Sequence, residues 1–314
     1  MNDLFDKTTL AILNGAVFPT LLRENKDGTR TWSIASSQRW YRTNGYLDLI
    51  QTPSVYAKLM LEPENKLLTG LNNILKTTSA PTSVVDIGPG DGKKISLLYD
   101  DINTHTYIPI DVAAKQLAIS TKKMKQKFTH IHPIHAEFKE GFAQVTDVRP
   151  EGQRLLWYLG STFSNREAFE YDLVNTIHEH MGEGDWLYLS TQQMNPNTCE
   201  LITAQYALPW CIAVSNELAA EQEIRTTPFA PRYDPIRESI DVVATITAVP
   251  KEYSHAMFPG DEIMPFVSAK PRNLREYVTR NYPLLTNAIE LSVSYAQRMA
   301  DGVDAGFEAV VLKK

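Results

Sequence analysis

The chain has 314 residues, of which 43% are hydrophobic and 22% are charged, a composition that excludes disordered and collagen-like classes. Lys and Arg number 31 against 37 Asp and Glu, and no block of like charges occurs, which argues against nucleic acid and membrane surfaces as partners. The two cysteines cannot form a disulfide framework, and the N-terminal residues do not match a secretory signal. We therefore expect a cytoplasmic protein.

The predicted elements change in character along the chain. Residues 1–60 are rich in aromatic residues and turns, and they predict short helices and loops without strands. A helix is predicted from about Leu61 to Thr78. From residue 83 to Gln193, strands then alternate with helices, which predicts a doubly wound parallel sheet. One of these helices is predicted over roughly residues 166–181.

The alternation ends after Gln193. A helix is predicted near residues 200–218, and residues 239–249 alternate with period 2, as in a half-exposed antiparallel strand. From Arg272 onward, a helix and two strands can complete the first sheet. We therefore predict an α/β fold with a Rossmann-like core of residues 61–194 plus 271–314. Residues 1–60 plus 195–270 would form a second, smaller α+β lobe that binds the substrate.

The sharpest local signal is the glycine turn Asp86-Ile-Gly88-Pro-Gly90-Asp91-Gly92, which follows a buried strand. Glycines at such a turn allow the backbone to approach a ligand closely. Asp111 ends the next predicted strand, where an acid can bind both ribose hydroxyls of a nucleotide or nucleoside. The other interpretation of Asp111 is an ordinary solvated acid at a strand end.

Nicotinamide dinucleotide and S-adenosylmethionine both fit this pattern. Carboxylates at Asp86 and Asp91 would repel a pyrophosphate, whereas they can hold the ammonium group of S-adenosylmethionine. The residues thus favour S-adenosylmethionine as the cofactor, and an NAD-dependent oxidoreductase remains an alternative.

Four segments resemble the histidine Nα-methyltransferases of ergothioneine biosynthesis and their relatives, which include fungal enzymes that methylate prenylated tryptophan. The segments are DIGPGDGKKISLL, YIPIDVAAKQL, HPIHAEF and LLWYLGSTFSN, and their order and spacing match over about residues 84–193. The element LGSTFSN is the most specific of them. The resemblance implies a class I S-adenosylmethionine-dependent methyltransferase core.

The resemblance also implies roles for individual residues. Gly88, Gly90 and Lys94 would line the methionine end of the cofactor, beside Asp86, and Asp111 would bind the ribose. Glu137 and Phe138 would contact the adenine. Asn165 matches an asparagine that holds the amino-acid head of the substrate, although it could also be a helix N-cap.

The acceptor residues are implied by shorter matches. Tyr41 and Tyr56 resemble two family tyrosines, and with Asn165 they would hold the acceptor, Tyr41 and Asn165 being the candidate catalytic residues. In FVSAK, Ser268 and Lys270 match the family's pattern, but Phe266 stands where histidine-specific members have a glutamate. A further substrate-binding tyrosine of the family has no counterpart in MNPNTCEL.

We therefore predict a methyltransferase that acts on the amino group of an amino acid or an amino-acid-derived small molecule, aromatic and other than free histidine. Catalysis would consist of in-line positioning and desolvation, since the cofactor is already activated. A catalytically silent partner or sensor protein that binds S-adenosylmethionine is the alternative. His130, His132 and His135 are interpreted as exposed strand residues, so no metal is predicted. No feature of the sequence predicts an oligomeric state.

Overall fold

The computed structural model describes residues 20–24, 28–34, 57–78, 80–100, 104–166, 173–207, 209–298 and 304–314. Within these ranges the strands are β1 (Thr20–Glu24), β2 (Arg30–Ser33), β3 (Ser83–Ile87), β4 (Thr104–Asp111), β5 (Phe128–Ile131), β6 (Ile134–His135), β7 (Leu155–Gly160), β8 (Asn165–Arg166), β9 (Trp186–Gln193), β10 (Arg225–Thr226), β11 (Ala230–Asp234), β12 (Ser239–Ala248), β13 (Glu262–Ala269), β14 (Ile289–Arg298) and β15 (Asp304–Lys313). The α-helices are α1 (Glu62–Thr77), α2 (Lys93–Leu98), α3 (Ala114–Met124), α4 (Phe138–Val148), α5 (Leu173–His180), α6 (Cys199–Ala204), α7 (Pro209–Glu221) and α8 (Leu274–Asn281).

The chain divides into two compact units. The larger unit takes its described residues from 44–164, 171–198 and 270–314, and the smaller unit takes them from 1–43, 165–170 and 199–269. None of the described helices is long and apolar enough to cross a membrane.

The larger unit is built on one sheet with the strand order β14-β15-β9-β7-β3-β4-β5, and β6 also pairs with β4. The five strands that run parallel to one another are β9, β7, β3, β4 and β5. Strand β15 is antiparallel to β9, and β14 is antiparallel to β15. Every residue of β3 is buried, as expected of a central strand that is covered on both faces. The predicted α/β fold with a doubly wound, Rossmann-like core is confirmed.

Helix α1 shows why these residues form this core. Its leucines Leu67, Leu68, Leu71 and Leu75 recur at helical spacing and are all buried. They belong to one apolar cluster with residues of the strands, including Val84, Leu156 and Phe307. The helix predicted from the same leucine pattern is confirmed, with its start at Glu62.

The smaller unit contains a mixed, mostly antiparallel sheet with the strand order β1-β2-β13-β12-β10, in which β11 pairs with β12 and β8 with β13. Strand β12 confirms the strand predicted from period-2 alternation at residues 239–249. The prediction that residues 1–60 lack strands is wrong, because β1 and β2 lie there. Strand β2 pairs in parallel with the distant β13, and Trp32 Nε1 donates a hydrogen bond to Asp261 (3.1 Å). Local sequence carries no signal of such a partner.

Two predicted helices also differ from the structure. The helix predicted at 166–181 is described over Leu173–His180, and Asn165–Arg166 form strand β8 against β13. Asn165 is therefore a strand residue and not a helix N-cap. The helix predicted near 200–218 is divided by a 3₁₀ turn at Gln205–Ala207. Pro209 then begins α7, because proline suits the first helical turn but interrupts a continuous helix.

The sequence-based domain boundaries are close to the division between the units but do not coincide with it. Residues 57–60, 195–198 and 270 lie in the larger unit, whereas residues 165–166 lie in the smaller one. The division of labour between a cofactor core and a substrate lobe remains a prediction.

Candidate active site

The residues predicted to bind the cofactor lie where neighbouring strands of the larger unit end. Gly88 follows β3, Asp111 is the last residue of β4, and Glu137 follows β6. Strand β7 leads into a 3₁₀ turn at Ser161–Ser164. Because these strands are parallel, their carboxyl ends share one edge of the sheet, which is where open α/β sheets bind ligands.

The glycines of the turn differ in how much space surrounds them. Gly88, Gly90 and Gly92 have φ angles of +68°, +57° and +73°, in the left-handed region that favours glycine. A Cβ atom at Gly88 would lie 2.9 Å from Oγ1 of Thr162 and 3.7 Å from Cζ of Phe138. Among the described residues, none would lie within 4 Å of a Cβ atom at Gly90. These residues therefore leave space beside the Gly90 backbone that a ligand can fill.

Asp86 lies in β3, just before this turn, and its carboxyl group is buried. Its side chain is 2% exposed, and the Tyr107 hydroxyl donates a 2.6 Å hydrogen bond to its Oδ2. Burial raises the pKa of Asp86 to about 7, although this hydrogen bond and the charge of Lys94 act in the opposite direction. A cationic ligand group would favour the ionised carboxylate, so the site suits the ammonium group of S-adenosylmethionine.

Asp111 is buried as well, with an exposed fraction of 6%. Its Oδ1 accepts the N–H of Ala113 at 2.8 Å, which orients the carboxyl group at the end of β4. Burial raises the pKa of Asp111 to about 6, while the Ala113 hydrogen bond and the charge of His135 lower it. The alternative interpretation of Asp111 as a solvated strand-end acid is wrong. A buried carboxylate at this edge fits a ligand that donates hydroxyl hydrogen bonds.

Glu137 and Phe138 lie where α4 begins, and both are partly exposed. The Phe138 ring stacks on Phe142, with centroids 6.4 Å apart and planes 7° from parallel. The Cζ atom of Phe138 would lie 3.7 Å from a Cβ atom at Gly88. The predicted adenine contacts therefore stand beside the predicted methionine contacts.

Lys94, in the first turn of α2, forms an ion pair with Glu64 of α1 across 2.9 Å. Glu64 is 1% exposed, whereas the Lys94 side chain is 24% exposed. Lys94 thus has a buried carboxylate on one side while remaining accessible to solvent. This arrangement fits the predicted contact with the cofactor.

Two of the residues predicted to bind the acceptor are cross-strand neighbours in the smaller unit. The backbone of Asn165 in β8 is directly opposite that of Ser268 in β13. The buried Ser268 accepts a 3.0 Å hydrogen bond from the Tyr206 hydroxyl. Position 266 pairs with Val242 in the same regular stretch of β13. The predicted acceptor residues Tyr41 and Tyr56 lie outside the described residues.

Sequence reasoning missed Tyr107, Glu64 and Tyr206. None of the three gave a local signal, because their partners Asp86, Lys94 and Ser268 are 21, 30 and 62 residues away. The contacts depend on strand register and on the packing of distant segments.

Among the residues that the structure describes, no group of three or more His, Cys, Asp or Glu side chains is arranged to hold a metal ion. Of the three histidines considered, His135 has its Nε2 3.1 Å from the backbone oxygen of Val112.

A family model described as "Histidine-specific methyltransferase, SAM-dependent" matches residues 48–263, more than half of the chain. The chain belongs to this family. It is an S-adenosylmethionine-dependent methyltransferase, and the buried carboxylates and the open glycine turn fit that cofactor.

Several solved structures are similar to this chain. A methyltransferase from Methanosarcina mazei is 13% identical (TM-score 0.40, 77% of this chain and 96% of that one). One from Clostridium acetobutylicum is 10% identical (TM-score 0.43, 86% and 99%), and the CcbJ methyltransferase from Streptomyces caelestis is 12% identical (TM-score 0.42, 88% and 98%). No curated protein matches the chain. At these identities and TM-scores, the family assignment rests on the family model.

Proposed function

We propose that this methyltransferase transfers methyl groups to the amino nitrogen of an amino-acid-derived small molecule that carries an aromatic group, and that free histidine is not its preferred acceptor. The family supports the class of acceptor, and the residues of β13 support the distinction from histidine.

The observation that carries the proposal is the pairing of Asn165 with Ser268. The resemblance assigns the first residue to the amino-acid head of the acceptor and the second to the acceptor site. Antiparallel partners lie roughly 4.5–5.5 Å apart at Cα, so one small molecule can contact both. The hydrogen bond from Tyr206 adds a second hydroxyl to this position.

Gln205, next to Tyr206, supports a polar contact in the same part of the smaller unit. It is 6% exposed, and neither the oxygen nor the nitrogen of its amide has a hydrogen-bond partner in the part of the chain that the structure describes. Leaving both atoms unpaired in the interior costs about 1–3 kcal/mol per group. A polar group of the acceptor would satisfy this amide.

Position 266 distinguishes the acceptor from histidine. An imidazole N–H needs a hydrogen-bond acceptor when it is buried, and a phenylalanine offers none. The missing partner costs about 1–3 kcal/mol, or roughly ten- to a hundredfold in affinity. An aromatic group without this requirement packs well against phenylalanine.

The chemistry requires little acid–base work from the protein. When bound, S-adenosylmethionine supplies a methyl group that is already activated by the sulfonium. Asn165 and Ser268, with Tyr41 and Tyr56, would orient an unprotonated amine and exclude water from it. The contribution of these residues is alignment and desolvation.

A product screen by mass spectrometry tests the proposal. Purified enzyme and S-adenosylmethionine are incubated with histidine, tryptophan, tyrosine or a metabolite extract, and fragment ions locate the added methyl groups. We expect methylation at an amino nitrogen of an aromatic acceptor. Efficient trimethylation of histidine would overturn the proposed acceptor. Tight cofactor binding without transfer to any acceptor would support the silent binding protein.

Two pairs of variants test the acceptor residues. Phe266→Glu supplies the missing carboxylate and should raise turnover of histidine, whereas Phe266→Leu should not. Tyr206→Phe should raise the acceptor KM and leave the Kd of the cofactor unchanged. The matched control is Tyr253→Phe, which removes a hydroxyl that donates to Gln222 at 2.9 Å in the same unit.

A further inference from the structure

Gln192, the last but one residue of β9, connects the sheet of the larger unit to the segment that precedes α1. Its side chain is fully buried, and its Nε2 donates a 3.0 Å hydrogen bond to the backbone oxygen of Leu59. Leu59 is 2% exposed and lies in a π-helical turn, Ala57–Leu61, that runs directly into α1. The hydrogen bond therefore joins two segments of the larger unit that are 133 residues apart in sequence.

The place of Gln192 in β9 explains how it reaches this turn. Side chains alternate between the two faces of a strand, so Gln192 shares a face with Tyr188, four residues before it. Tyr188 and Met60 of the π-helical turn belong to the same apolar cluster as the leucines of α1. Strand β9 runs parallel to β7, so Gln192 stands at the carboxyl edge of the sheet, where open α/β sheets bind ligands.

The amide of Gln192 is only half satisfied. Its Oε1 has no hydrogen-bond partner among the residues that the structure describes. An unpaired buried oxygen is unfavourable for folding, and an unbranched apolar side chain such as methionine would avoid this cost. Fold stability alone therefore does not account for a glutamine at this position. The contact that it makes is with a π-helical turn, a rare element that is frequent at functional sites.

The π-helical turn begins immediately after Tyr56, which the resemblance assigns to the acceptor. Consecutive Cα atoms are about 3.8 Å apart, so a bond that fixes the turn also restricts where Tyr56 can stand. We infer that Gln192 is a positioning residue, which fixes the π-helical turn through Leu59 and thereby places Tyr56 for contact with the acceptor. This inference rests on the proposed role of Tyr56 in holding the acceptor.

Hydrogen–deuterium exchange of the ligand-free enzyme tests the first step. Gln192→Met removes the donor, so the backbone amides of residues 57–61 should exchange roughly three- to tenfold faster, as expected for the loss of one hydrogen bond. Gln193→Met is the matched control, because the neighbouring Gln193 donates to the backbone oxygen of Arg272 at 2.8 Å. Unchanged exchange at residues 57–61 in Gln192→Met would overturn the inference.

Steady-state kinetics test whether the hydrogen bond acts through Tyr56. The acceptor is the compound that is methylated fastest in the product screen, and S-adenosylmethionine is kept saturating. Gln192→Met should raise the acceptor KM roughly three- to tenfold and leave the Kd of S-adenosylhomocysteine unchanged. In a Tyr56→Phe background the same substitution should raise KM less, because two residues that act through one contact are not additive. Equal increases in the two backgrounds would contradict a role through Tyr56.

A second buried amide separates positioning from a general loss of stability. Asn72 of α1 donates to the backbone oxygens of Leu98 and Asp100 at 2.9 and 2.7 Å. Asn72→Leu should lower the thermal unfolding temperature more than Gln192→Met and leave the acceptor KM unchanged. An equal rise of KM in Asn72→Leu would show that Gln192 only supports the fold. Efficient methylation of histidine would overturn the proposed acceptor but not this inference, because KM would then be measured for histidine.

Discussion

Substitution of Asp111 by Asn is the most direct test of the nucleoside site. The substitution preserves the shape of the side chain, and an amide oxygen can still accept the N–H of Ala113 that Oδ1 accepts at 2.8 Å. It removes the charge that would receive the ribose hydroxyls. A hydrogen bond to a charged group contributes about 1.5–3 kcal/mol, so binding should weaken roughly 10- to 150-fold.

The assay is calorimetric titration of S-adenosylhomocysteine and methylthioadenosine at pH 8 and pH 5. Both ligands contain the ribose, so both should weaken in Asp111→Asn. Since burial raises the pKa of Asp111 to about 6, the wild-type carboxyl is ionised at pH 8 and mostly protonated at pH 5. The difference between wild type and variant should therefore shrink at pH 5. Asp147→Asn, at an exposed position of α4, is the control. Unchanged affinity at pH 8 in a normally folded Asp111→Asn would refute the reasoning.

Three further predictions concern the same unit. Gly88→Ala should lower the stability of the ligand-free enzyme more than Gly90→Ala, because both glycines have positive φ but, among the described residues, only a Cβ at Gly88 approaches a side chain within 3 Å; thermal unfolding without ligand checks this, and equal losses would count against it. Asp185→Asn should destabilise the fold by about 3–5 kcal/mol in urea unfolding, because this fully buried carboxylate accepts hydrogen bonds from the backbone, a tryptophan and an arginine. The free energy of unfolding of the ligand-free enzyme should fall as pH rises from about 4 to 7, since folded Asp86 keeps its proton up to a pKa of about 7 and the unfolded carboxyl loses it near 3.8; Asp86→Asn should flatten this fall, and parallel pH profiles would show that Asp86 is not its source.

The sequence by itself determined the strand and the turn at which the cofactor site is predicted. The run Val84-Val85-Asp86 predicts a buried strand, and the glycines after it predict the turn at which the described residues leave space beside Gly90. Asp111 was found because it ends the next strand. These signals are readable because strand alternation, glycine turns and strand ends are local properties of the chain.

Only the tertiary structure decided the partners of these residues. The Tyr107 hydroxyl reaches Asp86 because β3 and β4 pair in a particular register, with Val84 opposite Tyr107. Glu64 reaches Lys94 because α1 packs against α2. Neither contact is encoded at a fixed spacing, so no motif predicts it.

In the smaller unit, the secondary structure also depends on segments that are distant in the sequence. Asn165 looks like a helix N-cap in the sequence, but it forms a strand because β13, about a hundred residues later, offers a backbone partner at Ser268. Strand β2 likewise depends on β13. Strand pairing forms backbone hydrogen bonds between distant segments, and these bonds override the secondary structure that the local sequence favours. The secondary structure of such residues is therefore decided only in the folded chain.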